Sequence, residues 1–170
     1  NPKPQTPNPK PQTPNPYTLK IIIMSATQTF FGDNFVDGEG KTHNASVLET
    51  NKLVCLYFSA HWCPPCRNFT PVLVEFYNAV KKDHPHDLEI VFLSFDQTLQ
   101  QFNEYMATMP WKALPFADPK IKQLATLFGV QGIPALVILR PDGTLITKDG
   151  RSDVISLNNK AADYWKTGHK

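Results

Sequence analysis

The sequence has 170 residues, of which 41% are hydrophobic and 11% aromatic, so it can build one core of ordinary size but not two comfortable domains. The 17 Lys and Arg residues against 15 Asp and Glu residues leave a net charge of +2, too small to indicate binding to nucleic acid or to a membrane surface. The 3 cysteines exclude a disulfide-rich scaffold, and because the longest apolar runs are of strand length we expect no membrane span.

The first residues differ in composition from the rest of the chain. Residues 1–16 contain the heptad Asn-Pro-Lys-Pro-Gln-Thr-Pro twice and begin a third copy. Because this stretch offers no apolar side chain to a core, residues 1–23 are predicted to be a disordered proline-rich tail, and 24–170 one folded domain. The tail is interpreted as a docking segment or spacer, or as a non-native extension upstream of a start at Met24. No secretory signal is recognised, so the cytoplasm is the expected location, with the nucleus as the alternative.

Apolar runs bounded by turn-forming residues predict the strands. The four main strands are expected over residues 53–59, 88–95, 135–140 and 144–148. Glycines and Asp37 predict a short hairpin over 34–44. The last two main strands flank the turn Pro141-Asp142-Gly143, which predicts an antiparallel pair within the sheet.

Apolar residues spaced three and four apart, together with capping residues, predict the helices. They are expected over residues 66–82, from Asp96 to about Met109, over 119–128 and over 158–166. Asp96 and Asp118 are the expected N-caps of the second and third. Because helices alternate with strands, the sequence predicts an α/β fold with a central mixed β-sheet flanked by helices on both faces.

The most informative motif is Trp62-Cys63-Pro64-Pro65-Cys66, which lies between a predicted strand and a predicted helix. A helix N-terminus favours an anion, so this position favours the thiolate of Cys63. Cys66 lies one helical turn further, where a small rotamer change lets the two sulfurs join or separate. Pro64 and Pro65 suit the first turn, where a missing N–H costs little. The pattern therefore predicts a redox-active cysteine pair.

Other interpretations of the same residues are weaker. A structural zinc site needs four ligands, usually as two close pairs, and there is no second cysteine pair, so no metal is expected. Haem attachment needs a histidine after Cys66, where the sequence has Arg67. Cys55 is interpreted as a buried small hydrophobe. His61 either adds positive charge near the cysteines or is an exposed loop histidine, and Trp62 either covers one side of the site or is a core residue.

Three motifs carry a resemblance to a known family. Residues 58–73, with Pro-Pro between the cysteines and Arg and Thr-Pro after them, resemble the thioredoxin superfamily and, within it, the tryparedoxin/nucleoredoxin branch. Met109-Pro110-Trp111 and the segment from Phe128 to Pro134 are similar to two further motifs of that branch. The resemblance implies a thioredoxin-like fold, a cis Ile133–Pro134 peptide facing the cysteines, and an Ile133 backbone that pairs with a substrate chain.

The same resemblance implies a function. The implied activity is that of a thiol–disulfide oxidoreductase, which reduces protein disulfides such as those of peroxiredoxin-type peroxidases. The implied redox centre is the Cys63–Cys66 disulfide, and no bound cofactor is expected. Cys63 is the implied nucleophile and Cys66 the resolving cysteine. Substrate would be bound by Trp62, Pro64, Pro65, Ile133 and Pro134. The implied electron donor is an external dithiol such as trypanothione, or a reductase, and a monomer is expected. The alternative is a nucleoredoxin-like, redox-sensitive binding module that regulates a signalling or nuclear partner.

Two departures from the branch bear on mechanism. Tryparedoxins often carry Trp-Asp-Glu-Glu, whose acids meet the polyamine part of trypanothione, where this chain has Phe95-Asp96-Gln97-Thr98. Asp96 is therefore expected to act as a helix cap, with ligand binding as the alternative. Many thioredoxins keep a buried acid at the position of Tyr57. A phenol with a pKa near 10 cannot act as a base at neutral pH, so water or another group must accept the proton of Cys66.

Overall fold

The computed structural model describes residues 31, 34–44, 48 and 51–167. The predicted tail, residues 1–23, lies outside them, and the assignment of 24–170 to one domain stays a prediction. The strands in chain order are β1 (Phe35–Val36), β2 (Thr42–His43), β3 (Leu53–Ser59), β4 (Leu88–Ser94), β5 (Lys112–Ala113), β6 (Ala135–Leu139) and β7 (Leu145–Thr147). The helices are α1 (Pro64–Asp83), α2 (Leu99–Met106), α3 (Pro119–Leu127), α4 (Gly150–Leu157) and α5 (Ala161–Lys166), with a 3₁₀ turn over Asn158–Lys160.

These strands form one mixed sheet in the order β2-β1-β5-β4-β3-β6-β7. The central strand β3 pairs parallel to β4 and antiparallel to β6, while β6 and β7 form the predicted antiparallel pair. The predicted hairpin over 34–44 is confirmed as β1 and β2, which pair antiparallel. The mixed sheet predicted from the sequence is therefore confirmed.

Helices cover both faces of the sheet. Strand β3 is buried along its whole length, and alternate side chains point to opposite faces because the side-chain period of a strand is two. Tyr57 joins the core packed under α1 and α2, whereas Phe58 joins the core packed under α3. The expected helix–sheet–helix layering is confirmed.

The largest corrections concern helix ends. Helix α2 begins at Leu99, and its N-cap is Thr98, whose hydroxyl accepts a hydrogen bond from the Gln101 N–H at 3.2 Å. The prediction that Asp96 caps this helix is wrong, because its carboxylate is bonded elsewhere. The helix also ends at Met106 rather than Met109.

Two elements were absent from the prediction. Helix α4 buries little apolar surface, so the periodicity of its residues gave no helical signal. It packs closely on β6, where a Cβ at Gly150 would lie 2.7 Å from the Leu136 carbonyl oxygen, so only glycine fits there. Strand β5 is two residues long, too short for a pattern. The predicted last helix is present as the 3₁₀ turn followed by α5.

Polar contacts attach α5 to the rest of the domain. The Trp165 indole N–H donates to a carboxylate oxygen of Asp153 in α4 at 2.9 Å. Lys166 forms an ion pair with the buried Asp87, which precedes β4. Within the described part of the chain, no helix has the length and apolar character needed to cross a membrane.

Candidate active site

The two cysteines lie at the start of α1. Cys63 is the N-cap residue with extended backbone angles, and Pro64 and Pro65 occupy the first positions of the helix as predicted. The helix thus begins two residues earlier than the apolar spacing indicated. Both thiols are unbridged, so this is the dithiol form. Cys63 retains 5% exposure and Cys66 none, so only the first cysteine has any surface open to solvent.

The loop before the cysteines is held by the end of β4. The backbone N–H of His61 donates to one carboxylate oxygen of Asp96 at 2.6 Å, and the Ser94 hydroxyl donates to the other at 2.7 Å. The indole N–H of Trp62 donates to the Phe95 carbonyl at 2.9 Å, and its ring is 46% exposed. Asp96 is therefore a buried anchor of the active-site loop, with both oxygens engaged inside the protein.

A second loop faces the cysteines across the site. The Ile133–Pro134 peptide is cis, which confirms the expectation from the family resemblance. The Cys63 thiol lies 3.8 Å from the Ile133 carbonyl oxygen, and Ile133 and Phe95 pack against the small cluster formed by the cysteines and Ala60. Five residues were predicted to bind substrate. The fold brings one of them, Ile133, to the cysteine motif that contains Trp62, Pro64 and Pro65, and Pro134 follows it in the chain.

The buried position of Cys66 controls its protonation. Burial raises the pKa of the Cys66 thiol to about 11, and the hydrogen bond with Cys63 adds to this, although the Ser59 hydroxyl and the Ala60 backbone act in the opposite direction. Cys66 is therefore a neutral thiol at physiological pH. It must lose its proton whenever it attacks a disulfide.

Four buried hydroxyl groups form a hydrogen-bonded cluster next to Cys66, and one of them donates to the Cys66 carbonyl. We call them the hydroxyl cluster: Tyr57, Ser59, Thr70 and Tyr105. The Thr70 hydroxyl donates to the Cys66 carbonyl at 3.0 Å and lies 2.7 Å from the Tyr57 hydroxyl and 2.6 Å from that of Tyr105. Ser59 lies 2.8 Å from the Tyr105 hydroxyl and 3.2 Å from that of Tyr57.

Neither phenol in the cluster is a base at neutral pH. Burial raises the pKa of Tyr57 and of Tyr105, so both remain neutral. This agrees with the sequence expectation for Tyr57. The involvement of Ser59, Thr70 and Tyr105 was missed. The one available signal was a serine at the end of an otherwise apolar strand.

Cys55 and the metal alternative can be set apart from the site, and His61 enters it through its backbone. Cys55 is fully buried in β3, and burial raises the pKa of its thiol, as expected for a small core residue. Among residues 31, 34–44, 48 and 51–167, no three His, Cys, Asp or Glu side chains gather as a metal site would require. His61 is partly buried, 3.9 Å from the Glu104 carboxylate.

Comparisons with known proteins agree with this geometry. Residues 51–145 match the model of a family described as thioredoxin-like. The chain is 49% identical over 126 residues to probable nucleoredoxin 1 of Arabidopsis thaliana, covering 72% of this chain and 21% of that protein. It is 42% identical over 135 residues to tryparedoxin of Trypanosoma brucei brucei, covering 78% of this chain and 90% of that protein.

Solved structures give the same picture. Tryparedoxin II from C. fasciculata superposes with a TM-score of 0.75 at 38% identity, covering 83% of this chain and 93% of that one. A tryparedoxin II has also been solved in complex with glutathionylspermidine, where the TM-score is 0.73 at 36% identity, with 82% of this chain and 96% of that one covered. The chain spans only about a fifth of the length of the Arabidopsis nucleoredoxin, but most of the tryparedoxin.

Proposed function

The chain belongs to the thioredoxin-like family of thiol–disulfide oxidoreductases, and from that premise we propose that it reduces protein disulfides through its Cys63/Cys66 pair. The observation that carries the proposal is the unequal burial of two unbridged thiols at one helix start. The first keeps 5% exposure, and the second is fully buried in the same small cluster.

The proposed reaction has two exchanges. The Cys63 thiolate attacks one sulfur of a substrate disulfide, forms a mixed disulfide and releases the other sulfur as a thiol after it takes a proton from solvent. Cys66 then loses its proton and attacks the Cys63 sulfur. This breaks the mixed disulfide, releases the second substrate thiol and leaves a Cys63–Cys66 disulfide. Two electrons pass from the dithiol to the substrate, and an external thiol donor returns them.

The surface around Cys63 is the proposed substrate site. Trp62, Pro64 and Pro65 are exposed on one side of the sulfur, and Ile133 and the buried Pro134 lie on the other. A substrate chain in extended form can pair with the backbone at Ile133, as a strand added to an exposed edge does. The disulfide it carries would then lie next to the Cys63 sulfur.

The proposed electron donor is a dithiol, and the protein is expected to discriminate only weakly between donors of different charge. Tryparedoxin II has been solved with glutathionylspermidine, which carries a cationic polyamine portion. In this chain Gln97 and Thr98 are neutral, Thr98 caps α2, and Asp96 is buried. Because each lost exposed charge contact costs about 0.2–1 kcal/mol, we expect trypanothione to reduce the protein with weaker saturation and less salt dependence than it shows with a relative that keeps the acidic residues. Glutathione should be slower, because two monothiols must arrive in succession.

Several further properties belong to the same proposal. The protein would need no permanently bound cofactor or metal and would work as a monomer on protein disulfides, such as those of peroxidases. A reducing compartment, the cytoplasm or the nucleus, would suit a dithiol that must be regenerated after each turnover.

A second function is favoured by one specific observation. The chain is 49% identical to a nucleoredoxin of which it covers only 21%, so the same domain occurs within a much longer protein. In that setting the domain would act as a redox-sensitive binding module for a signalling or nuclear partner. The two functions differ in whether catalytic turnover is required.

Insulin reduction with dithiothreitol as donor tests turnover, with Cys63→Ser as the inactive control. Stopped-flow reduction of the oxidised protein by trypanothione, by glutathione and by a thioredoxin-reductase system, at two salt concentrations, then tests the donor. Reduction by the reductase system alone would overturn the dithiol assignment and favour the nucleoredoxin-like role. Absence of insulin reduction by the unmodified chain would overturn the reductase function itself.

A further inference from the structure

The first turns of α1 have fewer backbone hydrogen bonds than an ordinary helix. Pro71 lies inside the helix and has no N–H, so the Arg67 carbonyl lacks the helical donor four residues ahead of it. Pro64 and Pro65 lack an N–H as well, although the first positions of a helix have no helical acceptor in any case. Cys66 therefore lies in a turn that its own helix backbone restrains less than usual.

One buried side chain restrains this turn from inside the protein. The Thr70 hydroxyl donates to the Cys66 carbonyl oxygen at 3.0 Å, one helical turn back, and Thr70 is 3% exposed. A hydroxyl has one hydrogen, so the Tyr57 and Tyr105 phenols, at 2.7 and 2.6 Å, are the donors in their contacts with Thr70. The hydrogen and both lone pairs of Thr70 are thus engaged, and this fixes the orientation of its hydroxyl.

The two phenols belong to other elements of the fold. Tyr57 lies in β3 and Tyr105 in α2, and both are buried. Through Thr70 they connect the main chain of Cys66 with the sheet and with a second helix. Cys63 is placed differently, because it is the N-cap residue and its thiol lies 3.8 Å from the Ile133 carbonyl oxygen of a separate loop.

We propose that Thr70 is a positioning residue that holds Cys66 ready to close the disulfide with Cys63. The inference rests on the proposed reductase function and concerns its second exchange. Before closure no covalent bond restrains the Cys66 side chain, and the Thr70 hydrogen bond keeps its main chain ordered. After closure the disulfide bond itself restrains Cys66. Because the order exists before the reaction, closure costs less conformational entropy than it would in a looser turn.

Loss of the Thr70 hydroxyl should therefore affect closure and not the first attack. We expect Thr70→Val to lower the closure rate and the effective molarity of Cys66 toward the Cys63 sulfur by about threefold to tenfold, the factor to which one neutral hydrogen bond corresponds. For this two-electron couple that makes the reduction potential about 14–30 mV less negative. Thr70→Ser keeps the hydroxyl, so both quantities should stay within about twofold of the unmodified chain.

The chain offers a matched control at Thr108. Its hydroxyl donates to the Tyr105 carbonyl oxygen at 2.7 Å, three residues back. Thr108→Val therefore removes the same kind of threonine-to-carbonyl hydrogen bond, just past the end of α2 instead of one turn from Cys66. We expect this variant to keep the closure rate and the reduction potential of the unmodified chain.

Ellman's reagent separates the two exchanges in a stopped-flow trace. Attack by Cys63 releases a first thionitrobenzoate, at a rate that depends on the reagent concentration. Closure by Cys66 releases a second, at a rate that does not depend on it, and this release should be absent in Cys66→Ser. Equilibration with mixtures of reduced and oxidised glutathione, followed by alkylation and mass spectrometry, then measures the effective molarity. Thr70→Val should slow the second release and shift this equilibrium toward the dithiol, with the first release unchanged.

Each outcome decides the proposal. An unchanged second release in Thr70→Val would overturn it, as would equal slowing of both releases, or equal slowing by Thr70→Ser or Thr108→Val. A slower second release with an unchanged glutathione equilibrium would also overturn it, because prior ordering must change both. If Thr70→Val does not fold, Thr70→Ala removes the same hydroxyl without placing a methyl group against the two phenol hydrogens. Absence of a second release in the unmodified chain would instead be a failure of the proposed function.

Discussion

Replacing Asp96 by asparagine tests whether this residue anchors the active-site loop or serves a ligand. The carboxylate accepts one hydrogen bond from the His61 backbone and one from the Ser94 hydroxyl, and it is only 9% exposed. Asparagine has nearly the same shape, but it is uncharged and presents an N–H₂ group where one of the accepting oxygens was. The bond to His61 becomes neutral, and the Ser94 hydrogen loses its acceptor.

The cost follows from the strengths of such bonds. A hydrogen bond to a charged group contributes about 1.5–3 kcal/mol to stability and a neutral one about 0.5–1.5 kcal/mol. The bond that becomes neutral therefore costs about 1–1.5 kcal/mol and the bond that is lost about 1.5–3 kcal/mol, so Asp96→Asn should cost about 2.5–4.5 kcal/mol. For a chain of this size that corresponds to a decrease in Tm of roughly 8–13 °C. Asp118 supplies the control, since its carboxylate accepts the Lys120 N–H at 2.9 Å as the N-cap of α3. Asparagine caps helices about as well, so Asp118→Asn should change stability by only about a few tenths of a kcal/mol.

Calorimetry or thermal circular dichroism on the two variants measures this difference. Stopped-flow reduction by trypanothione completes the test. An anchoring role for Asp96 predicts a lower Tm, whereas a ligand-binding role predicts weaker saturation by the donor with the Tm unchanged. If Asp96→Asn keeps the original Tm within about 1 °C but weakens saturation by trypanothione, the carboxylate serves the donor and the anchoring argument is wrong.

Three further predictions concern the cysteines, the acid stability and the N-terminal segment. Cys63→Ser should abolish disulfide reduction while Cys66→Ser accumulates a mixed disulfide, and iodoacetamide should label Cys63 first; mass spectrometry of the labelled peptides checks this, and faster labelling of Cys66 would reverse the roles. Burial acts to raise the pKa of Asp87, but the hydrogen bond and charge of Lys166 outweigh it and hold that pKa below 3.8. Stability from this ion pair should thus be complete above the unfolded carboxyl pKa of about 3.9 and be lost as the pH falls further, a dependence that urea unfolding should find reduced in Asp87→Asn. Deleting residues 1–23 should leave Tm and disulfide reduction unchanged, because the proline-rich repeat over residues 1–16, which makes up most of the segment, has no apolar side chain to bury; a Tm lower by several degrees would show that the segment docks on the domain.

The sequence by itself determined the features that depend on near neighbours. Continuous apolar runs predicted the central strands, and three- and four-residue spacing predicted α1. The N-cap Asp118, with Pro119 in the first turn and Gly129 after the end, predicted α3. The cysteine pair, with prolines between its members, indicated redox chemistry at a helix start. Each of these patterns is set by residues a few positions apart, whose preferences hold before the chain is folded.

Only the tertiary structure decided how the site is held and what surrounds its buried thiol. Asp96 was a plausible cap from its position before α2, but folding brings it to the His61 backbone, 35 residues away in sequence. Ser59 and Tyr105 meet across 46 residues, and Thr70 and Tyr105 across 35. A hydroxyl carries no periodic signal, and its partner is chosen by which polar groups are buried together and must satisfy one another. That choice exists only once the helices have packed on the sheet.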